Sequence, residues 1–301
     1  MATLRSVDDT RRPLSARLLI GRSPSAALRL QDSRVSGEHA VIQWRRGVWE
    51  LRDLSSRNGT FVNGERLPAG DARTLAVGTR VAFGHEENAW VFEDDGPPAA
   101  VAQCLDDAKH VAALQGILGL PSAEDPEVTV YANARGEWVM EREGEVRSVR
   151  DGAILRIGAT TWRIDVPATI DGTATVAMGP TLDTVRLRFE VSQDEEHVRI
   201  VLLSRGEEFA LDAREHAYVL LTLARLRLED RDQPSGEQGW VDRDRLLRML
   251  STDTNALNVA IYRARGQLTA AGLEGASSIV EVRRGQRRFG IEPDRFEIAG
   301  F

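Results

Sequence analysis

The stretch from Asp53 to Gly64 carries the residue types of a ligand-holding loop. It reads Asp-Leu-Ser-Ser-Arg-Asn-Gly-Thr-Phe-Val-Asn-Gly, so a Ser-Arg pair lies beside two Asn-Gly turns. Asn-Gly pairs favour tight hairpin turns, and this turn chemistry alone explains Asn63-Gly64. The first turn adds a guanidinium, a hydroxyl and an amide, which are the groups that hold an anion. We therefore interpret the stretch as a binding loop and not as a catalytic one.

Two shorter motifs precede this loop. Gly21-Arg22 follows the apolar run 17–20, and Ser36-Gly37-Glu38-His39 precedes the apolar run 40–44. Short apolar runs bounded by turn residues are typical of β-strands. The order Gly-Arg, Ser-x-x-His, Ser-x-Asn-Gly-Thr within residues 21–60 closely resembles the forkhead-associated (FHA) family.

The resemblance implies a β-sandwich whose loops at one end bind a phosphothreonine peptide. Phosphothreonine has nearly two negative charges and three acceptor oxygens, so its receptor needs cations and fixed donors. By the resemblance, Arg22 and Ser36 hold the phosphate and Arg57 reinforces them. Asn58 bonds the peptide backbone, and His39 braces the loops from within. Taken singly, the arginines could be ordinary surface residues, but three ordered motifs favour a binding site.

Gly37 departs from the family pattern, because many members carry Arg, Lys or Asn there as a further phosphate contact. We expect this departure to weaken phosphopeptide affinity without removing the core of the site.

Length and composition bound the other functions. A chain of 301 residues is long enough for two or three domains. Its formal net charge of −7 argues against a protein that coats nucleic acid nonspecifically, although a local basic patch could still bind it. Cys104 is the only cysteine, which excludes an internal disulfide and a cysteine-rich zinc site. With no long apolar stretch or signal peptide, we expect a bacterial cytoplasmic protein.

Composition shifts suggest the domain boundaries. The acidic, turn-rich segment 93–98 ends the first domain, so we predict an FHA phosphothreonine-binding domain over 1–95. A middle unit over 99–168 should begin with a helix near 99–118 and continue as a small mainly-β unit. Residues 151–158 loosely parallel residues 77–84, so this unit is either a degenerate FHA-like half-repeat or an ordinary set of Asp-Gly hairpins.

A Thr- and Gly-rich linker is expected over 169–184. Its threonines could be phosphorylated and bind the FHA loops in cis, but a plain flexible tether fits the composition better. The predicted fold class is thus multidomain, with an all-β FHA sandwich, a mainly-β middle unit and a C-terminal α+β domain over 185–301.

The C-terminal domain begins with strands near 185–189 and 197–202. Helices are predicted at about 213–228, 242–250 and 254–270, followed by a hairpin over 279–289. This succession resembles the OmpR-type winged-helix DNA-binding domain of bacterial regulators. The third helix lies at the position of that family's recognition helix, and the hairpin at the position of its wing.

The resemblance supplies a candidate DNA-binding set. On a helical wheel Asn255, Val259, Tyr262 and Arg263 point away from the core, and Arg265 lies at the flank. The wing adds four arginines: Arg283, Arg284, Arg287 and Arg288. Residues 255–290 hold six arginines against Glu274 and Glu281, an excess of four positive charges that suits phosphate contacts. Gly266, Gln267 and the wing turn depart from the family pattern, which also leaves weak or partner-assisted binding open.

No catalytic motif emerges, and His85-Glu86-Glu87 lacks the second histidine of a zinc protease. We therefore expect no enzyme, cofactor or metal. The sequence predicts a phosphothreonine-dependent transcriptional regulator that reads a Ser/Thr-kinase signal and binds DNA, with no membrane contact. The alternative is an adaptor that assembles kinase complexes without binding DNA. The sequence does not decide the oligomeric state.

Overall fold

The computed structural model describes residues 1–87, 89–107, 109–167 and 179–300. The chain divides into two compact units. The first comprises Met1–Ala112 and a short return segment that begins at Arg163. The second comprises Ala113–Trp162 and the described chain from Gly179 onward. The predicted middle unit over 99–168 is therefore shared between the two.

The described part of the first unit contains β-strands and no α-helix. In chain order these are β1 (Thr3–Arg5), β2 (Arg11–Pro13), β3 (Arg17–Gly21), β4 (Leu28–Arg29), β5 (Ala40–Arg45), β6 (Val48–Asp53), β7 (Thr60–Val62), β8 (Glu65–Arg66), β9 (Ala72–Thr74), β10 (Arg80–Phe83), β11 (Trp90–Asp94), β12 (Val101–Cys104) and β13 (His110–Ala112). One sheet has the order β2-β1-β11-β10-β7-β8, and the other has the order β4-β3-β5-β6-β9.

These two sheets form a sandwich because their strands alternate buried apolar and exposed side chains. Leu4 and Phe92 of one sheet join Leu18, Ile20 and Trp49 of the other in a single apolar core. This confirms the predicted all-β fold. The end of β3, the start of β5 and the end of β6 lie together, since β3 pairs with β5 and β5 with β6. The three sequence motifs therefore meet at one end of the sandwich.

The helix predicted near 99–118 is wrong, because this segment forms β12, β13 and the start of the next strand, Ile117–Leu120. Val101–Cys104 pairs with His110–Ala112 in an antiparallel hairpin. A second reversal follows at Gln115-Gly116, where both residues have positive φ and so cannot continue a helix. Strand pairing overrides the helical spacing of the Ala and Leu residues here.

The next six strands are β14 (Ile117–Leu120), β15 (Val128–Ala132), β16 (Trp138–Arg142), β17 (Glu145–Ser148), β18 (Ala153–Ile157) and β19 (Thr160–Asp165). The first five belong to the second unit, and β19 runs from the second unit into the return segment of the first. Strands β14 to β17 form a four-stranded antiparallel sheet in chain order, which we call the meander sheet. The mainly-β prediction is correct for this part of the chain, and the half-repeat interpretation stays a prediction.

The C-terminal part has the predicted α+β order. Its elements are β20 (Arg186–Val191), β21 (Val198–Ser204), β22 (Glu207–Ala210), α1 (Ala217–Glu229), β23 (Val241–Asp242), α2 (Arg243–Leu250), α3 (Thr254–Ala270), β24 (Val280–Arg283), β25 (Gln286–Phe289) and β26 (Phe296–Gly300). One sheet has the order β22-β21-β20-β26, and a smaller one has the order β23-β25-β24. Helix α3 has the predicted bounds, and its first turn is capped by Asp253, whose carboxylate accepts from the Ala256 amide at 2.8 Å.

The C-terminal part has its own apolar core, which includes Leu187, Phe189, Leu220, Leu257 and Phe289. No meander-sheet residue belongs to this cluster among the described residues. Most of the predicted linker lies outside the described residues, including its first threonines. Its last residues are packed, since the Glu274 amide donates to the Pro180 carbonyl at 2.9 Å and Leu182 contacts the core.

Candidate functional site

The Gly-Arg and Ser-x-x-His motifs are joined through their backbones. The Arg22 amide donates to the Ser36 carbonyl, and the Ser23 amide to the Gly37 carbonyl, both at 2.9 Å. A Cβ atom on Gly21 would lie only 2.0 Å from the Gly37 oxygen. Glycine at position 21 therefore permits the close approach of the two loops.

His39 connects the second and third motifs from inside the fold. The Ser36 amide donates to His39 Nδ1 at 3.0 Å, so Nε2 carries the proton and donates to the Gly59 carbonyl at 3.1 Å. The ring is fully buried, and burial lowers the pKa of His39. This arrangement confirms the bracing role expected of His39.

A buried carboxylate that sequence reasoning overlooked organises the third motif. Asp53 accepts from the Ser56 amide at 3.0 Å, the Ser56 hydroxyl at 2.6 Å and the Thr60 hydroxyl at 2.7 Å. Burial alone would raise the pKa of Asp53, but these hydrogen bonds lower it overall. The signal was an Asp at the strand end with a Ser three residues on, since short Asp side chains bond nearby backbone amides in turns. Thr60 is fully buried, so its bond to Asp53 lies inside the fold.

The four predicted phosphopeptide residues lie on these joined loops. Arg22 and Arg57 are exposed and Ser36 is half-buried. The Ser36 hydroxyl oxygen accepts from the Arg57 amide at 3.1 Å, so its proton can be donated to an anion. The Asn58 amide nitrogen donates to the Arg34 carbonyl at 2.7 Å, and the other amide atom, Oδ1, is a hydrogen-bond acceptor.

An ion cluster beside the site holds Arg34. Its guanidinium donates to both carboxylate oxygens of Asp32 at 3.1 and 3.0 Å, and His85 Nε2 lies 3.0 Å from Asp32 Oδ2. The hydrogen bond from Arg34 is the main reason that the pKa of Asp32 lies well below its usual range. Because Arg34 is fixed, its carbonyl is a stable acceptor for Asn58. His85 thus belongs to this ion cluster.

The C-terminal candidates fall into three groups, of which the first is accessible. Asn255, Arg263 and Arg284 are exposed, and Val259 is half-buried. The half-buried Arg283 and Arg288 form a second set of contacts: their guanidinium carbons lie 4.4 and 4.7 Å from the Trp240 ring. Arg283 also pairs with Glu237, and Arg288 with Glu281. These two arginines are therefore already partnered.

The third group is Tyr262, Arg265 and Arg287. The expectation that they face a DNA groove is wrong for this structure. They are 8%, 1% and 0% exposed. Tyr262 packs with three meander-sheet residues: Ile117, Tyr131 and Val139. The helical wheel considered only the core of the C-terminal part, whereas α3 packs on its other face against the meander sheet.

A single carboxylate, Glu141 of β16, binds both buried arginines. Arg265 Nη1 donates to Glu141 Oε2 at 3.0 Å, and Arg287 Nη2 lies 3.4 Å from Oε1. Arg265 also stacks 4.5 Å over the Tyr131 ring and donates to the Val280 carbonyl at 2.9 Å. Burial would lower the pKa of Arg265, but Tyr131 and Glu141 raise it overall, whereas burial dominates and lowers the pKa of Arg287. The carboxylate therefore pairs mainly with Arg265.

The described residues contain no cluster of His, Cys, Asp and Glu suited to a metal ion. None of their helices has the length and apolarity needed to cross a membrane.

Comparison with known proteins matches the FHA domain family to residues 18–84. The FHA domain-containing protein FhaA of Mycobacterium tuberculosis is 42% identical over 69 residues, which cover 23% of this chain and 12% of FhaA. Nibrin of Danio rerio is 32% identical over 99 residues, which cover 33% of this chain and 12% of nibrin. The chain thus matches only a small part of each relative's length.

Solved structures also match about a third of this chain. EmbR of Mycobacterium tuberculosis, in complex with a low-affinity phosphopeptide, is 28% identical and matches 32% of this chain and 25% of EmbR, with a TM-score of 0.29. The FHA domain of FhaA, complexed with an intracellular domain, is 32% identical and matches 31% of this chain and 100% of that domain, with a TM-score of 0.28. The family match and the loop geometry together identify residues 18–84 of this chain as an FHA domain.

Proposed function

We propose that this protein is a phosphothreonine-dependent transcriptional regulator without enzymatic activity. Its FHA domain binds a phosphothreonine segment of a Ser/Thr kinase or a kinase substrate, and its C-terminal part binds DNA in the bacterial cytoplasm. The observation that carries the first half is the joined set of loops at one end of the sandwich, which presents Arg22, Ser36, Arg57 and Asn58.

The chemistry of these four residues suits phosphothreonine. Two exposed guanidinium groups, on Arg22 and Arg57, supply positive charge to a dianion. The Ser36 hydroxyl donates to a phosphate oxygen while its own oxygen stays bonded to the Arg57 amide. Because the loops are already tied together by His39, little conformational entropy is lost when the phosphate binds. The phosphopeptide complex of EmbR supports the same ligand class here.

Fluorescence anisotropy with a labelled phosphothreonine peptide library tests this half. We expect phosphate-dependent binding that Arg22→Ala weakens by about 10- to 100-fold, since a charge-assisted hydrogen bond contributes about 1.5–3 kcal/mol. Arg45→Ala is the matched control, because Arg45 is exposed at the far end of β5 from the loops. Equal binding of phosphorylated and unphosphorylated peptides, or equal loss in both variants, would contradict the proposal.

The DNA-binding half rests on the order of elements in the C-terminal part. A leading sheet, three helices and a hairpin follow the order of the OmpR-type winged helix, with α3 at the place of the recognition helix, and β26 then returns to the leading sheet. Asn255 and Arg263 on α3, and Arg284 at the hairpin turn, are exposed groups that can reach bases or phosphates.

One observation favours the alternative of an adaptor that does not bind DNA. Three of the candidate DNA-binding residues, Tyr262, Arg265 and Arg287, are buried against the meander sheet. An electrophoretic shift with duplex DNA separates the two functions. We expect a salt-sensitive shift that the exposed pair Arg263→Ala with Arg284→Ala abolishes and Arg225→Ala, a surface substitution on α1, does not. No shift at low salt, from a folded protein that binds the phosphopeptide, would establish the adaptor.

A further inference from the structure

We infer that the meander sheet is a displaceable cover on α3 and the β24–β25 hairpin, and that the covered face is a second, stronger surface for the phosphate backbone of duplex DNA. The covered face consists of Tyr262, Arg265 and Arg287. The inference rests on the proposed DNA binding of the C-terminal part and specifies how that binding is regulated.

The cover contacts α3 and the hairpin through several anchors. Strand β14 packs closely on α3. A Cβ atom added to Gly119 of β14 would lie only 3.1 Å from the ring of Tyr262. At the hairpin turn the Gly285 amide donates to the Gly144 carbonyl at 3.0 Å. The Ser277 hydroxyl donates to the Ala132 carbonyl at 2.7 Å. The meander sheet therefore occupies the side of α3 and the hairpin that would face a DNA groove.

The apolar part of this contact is small and separate from the main core. It consists of Ile117, Tyr131, Val139 and Tyr262, with Ala123 at its edge. The core of the C-terminal part is a distinct cluster drawn from its own sheets and helices, and it includes the inner face of α3. Removal of the meander sheet would therefore expose few apolar groups and leave that core intact.

Charge at the contact is unbalanced. Two guanidinium groups, on Arg265 and Arg287, share the single carboxylate of Glu141. The described residues around them offer no hydrogen-bond partner to Arg265 Nε or to Arg287 Nε and Nη1. A buried cation with unpaired donors is destabilising, so the closed arrangement holds these arginines imperfectly. Phosphate oxygens of a duplex would pair with them more completely.

Glu141 is consequently the residue whose charge holds the cover closed. Its carboxylate pairs with both arginines and lies where a DNA phosphate would bind them. The neighbouring Arg243 contributes a further contact, from Nη1 to the Glu143 carbonyl at 3.5 Å, which does not depend on the Glu141 charge. Neutralising Glu141 should weaken the cover while preserving its shape.

The test compares Glu141→Gln with Glu145→Gln in the full chain. Both substitutions remove one negative charge from the meander sheet, but Glu145 is exposed on β17, where its carboxylate pairs with the exposed Arg147. The first measurement is the anisotropy of a labelled random-sequence duplex. The second is hydrogen exchange of the α3 and hairpin amides, with the amides of α1 as an internal reference. We expect Glu141→Gln to raise DNA affinity by about tenfold, within the usual range of coupling between sites, and to accelerate exchange at α3 and the hairpin only.

Other outcomes would overturn the inference in distinguishable ways. Unchanged exchange and unchanged DNA affinity would show that the sheet is a permanent part of the fold, while the proposed DNA binding through Arg263 and Arg284 could still stand. Faster exchange at α3 without any gain in DNA affinity would show that the uncovered face does not bind DNA. Faster exchange that includes the α1 amides would show that Glu141 stabilises the whole second unit and not only the contact of the meander sheet. An equal gain in DNA affinity from Glu145→Gln would reduce the effect to net charge.

Discussion

Gly21 and Gly37 lie against each other at the phosphate end of the sandwich, but they differ in the space around them. A Cβ on Gly21 would overlap the Gly37 carbonyl oxygen, whereas a Cβ on Gly37 would meet no described atom within 4 Å. We expect Gly21→Ala to destabilise the first unit by about 1–3 kcal/mol and to weaken phosphopeptide binding, because the loops must separate. Gly37→Ala should leave both unchanged. Urea unfolding and peptide anisotropy of the two variants check this contrast.

The open space at Gly37 also permits a gain of function. Gly37→Lys places a cation on the loop that carries Ser36, at the position where many FHA domains have a basic residue. An exposed ion pair contributes up to about 1 kcal/mol, so phosphopeptide affinity should rise by up to about fivefold. Peptide anisotropy at low salt measures this rise in affinity, and Gly37→Gln is the uncharged control with a side chain of similar length. An equal rise for both variants would show that charge is not the cause.

His39 makes the loops sensitive to acid. Its pKa in the fold lies below the usual value of 6.5, so the unfolded chain binds a proton more readily than the folded one. The stability of the first unit is therefore complete above about pH 6.5 and falls as pH decreases toward the folded pKa. Thermal unfolding between pH 7.5 and 5.0, with NMR titration of the imidazole, tests this. A His39 pKa above 6.5 would contradict the burial argument.

At the scale of elements, α3 and the β24–β25 hairpin are held to the meander sheet unequally. Arg265 on α3 has a carboxylate, a carbonyl and an aromatic ring as partners, whereas Arg287 on β25 has two long contacts, to Glu141 at 3.4 Å and to the Asn258 side chain at 3.5 Å. Arg265→Met should lower the free energy of unfolding by about 3–5 kcal/mol, since Glu141 loses its main partner. Arg287→Met removes the surplus charge and should stay within about 1 kcal/mol of the parent. Urea unfolding of both variants measures which substitution is more destabilising. A larger loss of stability for Arg287→Met would show that Arg287, and not Arg265, is the main partner of Glu141.

Element prediction succeeded where a local pattern and the tertiary environment agree. Thr254–Ala270 has apolar residues at helical spacing and an Asp cap, so its bounds were predictable. The segment 99–118 has a similar apolar spacing, but its reversal at Gln115-Gly116 and its strand partners decide the outcome. Burial of Tyr262 and Arg265 was unpredictable for a related reason: the sequence shows which face of a helix is apolar, but not which distant strand covers the other face.

At the scale of the whole molecule, the net charge of −7 means that any DNA binding depends on local arginines and not on overall attraction. The FHA site was more predictable than the contacts of Glu141, because its parts are close in the sequence. Its three motifs lie within residues 21–60 and are joined by neighbouring strands, so their order in the sequence already implied their proximity. The buried pairs of Glu141 join residues more than 120 positions apart, and no local pattern reports them.

The number of arginines that can reach DNA phosphates predicts how strongly the DNA-binding constant depends on salt. In the covered form Arg263 and Arg284 are the exposed arginines among the candidate residues, so the slope of log K against log salt should be about −2. Uncovering Arg265 and Arg287 adds two phosphate contacts, and the slope for Glu141→Gln should approach about −4. Anisotropy titrations of a duplex at several salt concentrations measure both slopes. An equal slope in the two proteins would mean that the buried arginines never contact the duplex, whatever the absolute affinities are.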